Sequence, residues 1–571
     1  MTVKKALENL EIENVFPDEL IRLPDLNAMG VENNVFLKEF LQVVDIELQS
    51  LFPFLAKQKM NVAQAAFFEV KLALDTFRST GLILSKIIEE LQPEEIILYE
   101  RFRNSNSNRF TRWSNNYANY ATDVFLSLFA DRCNYSLKQY HQKKSSRYRI
   151  EPYYLMAKIM LRGLLDFLRN GSSRHSLLIQ KECHDIVTLN DSALVSHRRY
   201  QTFSRGNYFY FVSQWPFSPS RLYRLESSSI SPDLQIVDLI RHPSLERWKT
   251  DFCLSFFAGA WFRHLVDFVP VMLKRAAALE KKILAVSPKA MFTSDCRYFL
   301  KDAFFFELVR SKGIPVVAYQ EGGGYGYLDY PVIRTDIDLP DVFLTYGEGV
   351  SNSVYLDGGR AKRISLGSIR LKKIHLDQQI SRSKEPRRGI YVILDSIKAG
   401  LYQHYPSNSG FFSQAYRYQL ELLETLKQFP QERFIIKVIP KTAPFCQHFV
   451  SPNISIESRP LVEVLHLAEG FIVEFPSTVL MECLATDRPV ALLDRPDVFT
   501  IHSEAMESLR RRCFVSEGIS NFRKTIQDLV RAIRSPENRL MNQDFRDDYI
   551  FQDDTESKLN QWLSSVFNAP R

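Results

Sequence analysis

The chain has 571 residues, 45% of them hydrophobic and 24% charged, which excludes extensive disorder and is too long for one ordinary core, so two or more domains are expected. Its net charge of +7 is small for this length and gives no case for a nucleic-acid partner, while suiting an anionic ligand or loose association with acidic lipid. Seven scattered cysteines with no Cys-x-x-Cys pair argue against a disulfide framework and a zinc site, and for a reducing compartment. The N-terminal stretch Met-Thr-Val-Lys-Lys-Ala-Leu-Glu lacks the apolar core of a signal peptide. A cytoplasmic protein is expected, at most peripheral on the inner membrane face.

Along the chain, residues 35–95 carry long helical patterns, and 95–99 form a short apolar strand after Pro93. The Asn-, Ser- and Arg-rich run 101–116 reads as a surface loop, 117–170 returns to helical periodicity, and 171–250 is mixed. The most apolar stretch, 252–273, is broken by Arg263, His264 and Asp267, which favours a buried helix over a membrane span. Helical pattern continues through 266–286, then come strand 290–293, helix 298–312 and strands 315–319 and 341–345. The polar run 379–388 reads as an interdomain linker. Beyond it strands at 389–394, 434–438, 454–456, 470–473 and 490–493 alternate with helices at 416–428, 461–468, 478–485 and 521–534. Such alternation predicts βαβ units and parallel sheets covered on both faces. The fold class expected is α/β, with two Rossmann-like lobes on parallel sheets and a cleft between them. Residues 1–378 make a first lobe enlarged by helices, 389–540 a second lobe, and 541–571 a tail.

Three constellations sit at strand ends, where open parallel sheets bind ligands. In Glu474-Phe-Pro-Ser-Thr-Val-Leu-Met-Glu482, an apolar strand ends at Glu474 and a helix carrying Glu482 begins after Ser477 and Thr478. Free N–H groups at such a terminus suit a phosphate, and Glu482 suits ribose hydroxyls; a capping Ser477 and a solvated Glu482 are the plainer alternative. In Tyr319-Gln-Glu-Gly-Gly-Gly-Tyr-Gly-Tyr327, Gln320, Gly322, Gly323 and Gly324 turn tightly after a strand and admit close backbone approach. Glu321 in that loop is a candidate base, although its ordinary pKa of about 4.3 requires tuning by burial. The third, Ile436-Lys-Val-Ile-Pro-Lys441, brings Lys437 and Lys441 to the end of a strand, with Ser396 and Lys398 in the loop after 389–394. Asp295, after strand 290–293, is the second candidate base, and Arg370 a weaker phosphate candidate. Asp336-Ile-Asp338 reads as a solvated loop rather than a metal site, so no metal is expected.

The stretch 474–490 resembles the donor-binding segment of GT-B glycosyltransferases, and the glycine loop is similar to one in bacterial capsule and lipopolysaccharide transferases. The resemblance implies donor-sugar and ribose contacts for Glu474 and Glu482, and phosphate contacts for Ser477, Thr478 and Lys437. It departs at Phe475-Pro476, where such enzymes usually carry glycine, and at Glu321 and Ile439, where histidine is usual. It implies a nucleotide-sugar donor as substrate with no separate cofactor, a surface-polysaccharide or glycolipid acceptor in the first lobe, and sugar transfer between them. A CDP-glycerol-type glycerophosphotransferase, a sugar-nucleotide epimerase and a non-catalytic assembly scaffold are the rival readings.

Overall fold

A computed structural model of the chain describes residues 23–91, 95–100, 136–141, 177–179, 209–211, 242–248, 250–286, 289–293, 300–328, 335–381, 387–394, 412–438, 446–496 and 499–568. Among them, strands β1 (Glu95–Glu100) and β2 (Ser136–His141) pair in parallel. Residues 117–170, expected as helical, therefore contain a strand. Leu137 and Tyr140 stand three apart, which imitates a helical stripe, and pairing with β1 overrides that local signal.

The first lobe is a six-stranded parallel sheet in the order β4-β3-β5-β6-β7-β8. Its strands are β3 (Leu177–Ile179), β4 (Phe209–Phe211), β5 (Ala290–Thr293), β6 (Val316–Tyr319), β7 (Val342–Thr345) and β8 (Lys362–Ser365). Helices α1 (Leu23–Leu51), α2 (Phe67–Leu91), α3 (Phe252–Val286) and α4 (Leu300–Arg310) enlarge it, and α5 (Ile369–Ser381) leads out of it. Helix α3 buries Phe257, Trp261, Leu265, Val269, Met272 and Ala276, a stripe at helical spacing facing the core. Among the described residues no helix is long and apolar enough to cross a membrane. The amino-terminal helices are tied in by buried carboxylates. Asp45 accepts from the Ala63 and Gln64 N–H groups at 2.8 and 2.9 Å, and Glu307 of α4 accepts from Asn61 N–H at 3.0 Å. Burial pushes the Asp45 carboxyl up to about 7, against the pull of those N–H groups.

The second lobe repeats the plan in the order β11-β10-β9-β12-β13-β14, again all parallel. It comprises β9 (Gly389–Ile393), β10 (Phe434–Lys437), β11 (Ile454–Glu457), β12 (Ala468–Val473), β13 (Val490–Asp494) and β14 (Phe514–Glu517), with α6 (Phe412–Lys427), α7 (Thr478–Leu484), α8 (Ser503–Arg510) and α9 (Phe522–Arg534). The central strands β9 and β13 are buried along their whole length, as near-continuous apolar runs covered on both faces must be. The edge strands β8 and β14 carry charge, which blunts a free sheet edge. The run expected as a linker begins inside α5, whose helix continues to Ser381.

After α9 the chain returns to the first lobe. Residues expected as a tail form α10 (Asp544–Tyr549) and α11 (Thr555–Asn568). Phe545 and Tyr549 pack edge-on against Tyr327, and Ser368 N–H donates to Ile550 O at 2.9 Å. Both lobes are thus joined at α5 and at this return, and the loop after β6 touches the start of α7.

Candidate active site

In the second sheet the chain leaves β9 for β10 and β11 on one side, then crosses to β12 on the other. The β9/β12 boundary is therefore the switch point, where diverging loops open a crevice. Register aligns Glu457, Lys437, Ile393, Val473 and Leu492 as neighbours across this edge. Glu474 follows β12 directly. It is only 2% exposed, and its Oε1 accepts from Arg495 Nη1 at 2.9 Å while Oε2 accepts from Gln419 Nε2 at 2.7 Å.

Pro476 and a tight turn, in which Ser477 N–H bonds Phe475 O at 2.8 Å, end the strand and start α7. Leu480, Met481, Cys483 and Leu484 face the core, which leaves Glu482 on the side toward the first lobe. Ser477 holds the N-cap position in extended backbone, yet its side chain makes no capping bond, so the plain capping alternative for this serine does not apply. Glu482 Oε1 accepts from Arg370 Nη1 at 2.5 Å, an ion pair that spans the two lobes. It is a partly covered pair, not a solvated glutamate.

From the first lobe, the glycine loop reaches the same place. Gln320 is buried and braces the loop: Nε2 donates to Gly322 O at 2.7 Å, and Oε1 accepts from Tyr346 N–H at 2.9 Å. Gly323 N–H donates to Thr478 Oγ1 at 3.1 Å, and Tyr327 OH donates to Pro476 O at 2.9 Å. A Cβ on Gly322 would fall 2.0 Å from Thr478 Oγ1, and one on Gly323 would fall 2.6 Å from the Ser477 carbonyl carbon. Two glycines are what allow this loop to lie on the start of α7. Gly324 turns with φ +98°. Glu321 is exposed, so the burial that a tuned base requires is absent in this arrangement.

Lys437, at the end of β10, donates to Val438 O at 2.8 Å. Burial pulls its ammonium below the ordinary lysine range, with Glu457 acting against that shift. Asp295, Ser396, Lys398 and Lys441 lie outside the described residues. Asp336, expected in a solvated loop, is buried in a helical turn (Thr335–Asp338) of the first lobe and accepts a hydrogen bond from Tyr325 OH. The tyrosine and the turn give that carboxylate a structural partner that its sequence neighbourhood does not reveal.

Three arginines shape the site. Arg495 is only 3% exposed, with its guanidinium carbon 4.5 Å from the centre of the Tyr418 ring. Arg512 is 2% exposed and donates to Thr486 O at 2.6 Å and to Arg488 O at 3.3 Å, just past the carboxyl end of α7. A cation there complements the helix dipole and satisfies carbonyls left open at its end. Neither arginine stands out in the sequence, although Arg495 follows its strand as Glu474 follows the one before. Arg370, only a weak candidate from sequence, is the residue that reaches Glu482. Cys483 and Cys513 are buried, and their thiols are pushed above the ordinary range, so they behave as apolar core groups.

A model of LIC12162 family transferases matches residues 99–511. No curated protein matches the chain. Among solved structures it is similar to the UDP-GlcNAc 2-epimerase of Methanocaldococcus jannaschii, with a TM-score of 0.40 and 9% identity over 68% of this chain and 99% of that one. MurG of Acinetobacter baumannii gives 0.37 and 9% over 69% and 99%, and the trehalose-6-phosphate synthase OtsA gives 0.38 and 10% over 69% and 99%. At these scores and identities the likenesses carry no argument about chemistry.

Proposed function

The chain belongs to the LIC12162 family of transferases, and from that premise we propose that it moves a sugar from a nucleotide-activated donor on the second lobe to a glycan or glycolipid acceptor on the first. The observation that carries this reading is the meeting of the glycine loop with the start of α7, where Gly323 N–H bonds Thr478 Oγ1 at 3.1 Å. A donor at the β9/β12 switch point and an acceptor at the carboxyl edge of the first sheet would share that junction. Glu482 is assigned to the ribose: Arg370 engages Oε1, and Oε2 would accept a ribose hydroxyl. Both oxygens of Glu474 are engaged, so its part is to orient Arg495 and Gln419, and a sugar hydroxyl would reach it only by displacing Gln419.

Ser477, Thr478, Lys437, Lys441 and Ser396 are assigned to the leaving phosphate, whose developing charge preorganised donors would stabilise. Asp295 and Glu321 are the candidate bases, on the acceptor side, and Glu321, exposed in the free protein, would take that part only when a bound acceptor covers it. The donor is the one small molecule this reading requires. A surface-polysaccharide product is the acceptor class we favour, and a glycolipid acceptor would bring the protein to the inner membrane face.

The test is turnover of a panel of nucleotide sugars, with and without an extracted lipid-linked glycan fraction. Release of free nucleotide that depends on the acceptor is the expected result. Isomerised nucleotide sugar formed without acceptor would favour an epimerase, and CMP release from CDP-glycerol a glycerophosphotransferase.

A further inference from the structure

Arg495, beside the donor site as assigned, is a buried cation only half used. Arg495 follows β13 at the carboxyl edge of the second sheet, one strand from the switch point. Nη1 meets Glu474 at 2.9 Å, the Tyr418 ring covers one face, and Nε is buried with no hydrogen-bond partner. A guanidinium has five N–H donors in a fixed planar fork, and leaving a buried one unmet is costly. Glu474 does not close a two-pronged grip on it, because Gln419 holds the other carboxylate oxygen at 2.7 Å. Tyr418 and Gln419 both belong to α6, which follows the loop after β9. Three elements around the switch point therefore converge on this guanidinium: the ends of β12 and β13, and α6.

We propose that Arg495 is a phosphate ligand of the site, using the unmet edge of its fork for an oxygen of the donor diphosphate, and that Glu474 and Gln419 are positioning residues that hold it. The inference rests on the nucleotide-donor reading. Planar guanidinium donors match phosphate oxygens in geometry, whereas a lysine offers only a point charge. Recognition by Arg495 is thus directed at the phosphates and not at the base or ribose.

The experiment compares the affinities of a nucleoside and of its diphosphate, for example uridine and UDP or cytidine and CDP, by calorimetry on the full chain. Wild type, Arg495→Lys and the charge-balanced double variant Glu474→Gln/Arg495→Gln are measured, the last guarding against an unpaired buried charge. Expected is a loss of roughly 10- to 100-fold in diphosphate affinity for both variants, with nucleoside affinity within about twofold of wild type. Equal weakening of both ligands, or unchanged diphosphate binding, would assign Arg495 a structural role only and overturn the inference while leaving the donor reading standing. A wild type that binds no nucleotide would overturn both.

Discussion

Replacing Glu474 by alanine is expected to destabilise the protein by about 3–5 kcal/mol, because it strands the Arg495 guanidinium in the interior. The carboxylate is 2% exposed and the arginine 3% exposed, so in the free protein the pair is held largely out of bulk water. Water does little to screen the 2.9 Å pair between them. The double change Glu474→Met/Arg495→Met removes both charges while keeping apolar bulk, and is expected to recover most of that loss. Urea unfolding of the single and double variants measures the coupling. A single variant within about 0.5 kcal/mol of wild type would contradict the buried pairing.

The second large effect lies in the glycine loop. Gly323→Ala would place a methyl 2.6 Å from the Ser477 carbonyl carbon and 2.8 Å from the Thr478 nitrogen, both backbone atoms that cannot swing aside. The loop must then lift off α7 and lose its bond to Thr478 Oγ1. Overpacking of this kind costs about 1–3 kcal/mol, and a shift of about 1 Å between reacting groups lowers turnover on the order of 100-fold. Gly322→Ala meets a side-chain atom instead, Thr478 Oγ1 at 2.0 Å. Adding Thr478→Ala should therefore restore part of the stability lost in Gly322→Ala and none of that lost in Gly323→Ala. Equal rescue of the two would show that the loop does not sit as described.

The sequence made the central strands and the strand-end motifs legible for a physical reason. Parallel strands buried on both faces must be apolar throughout, so β9, β10, β12 and β13 stand out within a residue or two of their ends. Of the edge strands, β11 was legible at 454–456, whereas β8 and β14, Lys-Arg-Ile-Ser and Phe-Val-Ser-Glu, were not, because charged and polar residues break their apolar pattern. Glu474 and Glu482 were visible from position alone. Their partners were not, since Arg495 lies 21 residues beyond Glu474, and Arg370 lies 112 residues before Glu482. Only the crossover from β12 to β13 and the return of α5 across the lobe junction bring them together. Burial is equally non-local, which is why Glu321 read as a tunable base and stands exposed.

Sugar transfer as proposed requires the second lobe to bind a nucleotide through Glu482. Thermal denaturation of wild type and Glu482→Ala, each against UDP, GDP, CMP and CDP, measures that binding. A ligand present at 100 times its dissociation constant stabilises the folded state by about 2.7 kcal/mol, a readily measured rise in melting temperature. Expected is such a rise for wild type with one of these nucleotides, and its disappearance in Glu482→Ala at the same concentration. No stabilisation by any of the four, or an undiminished shift in Glu482→Ala, would contradict it.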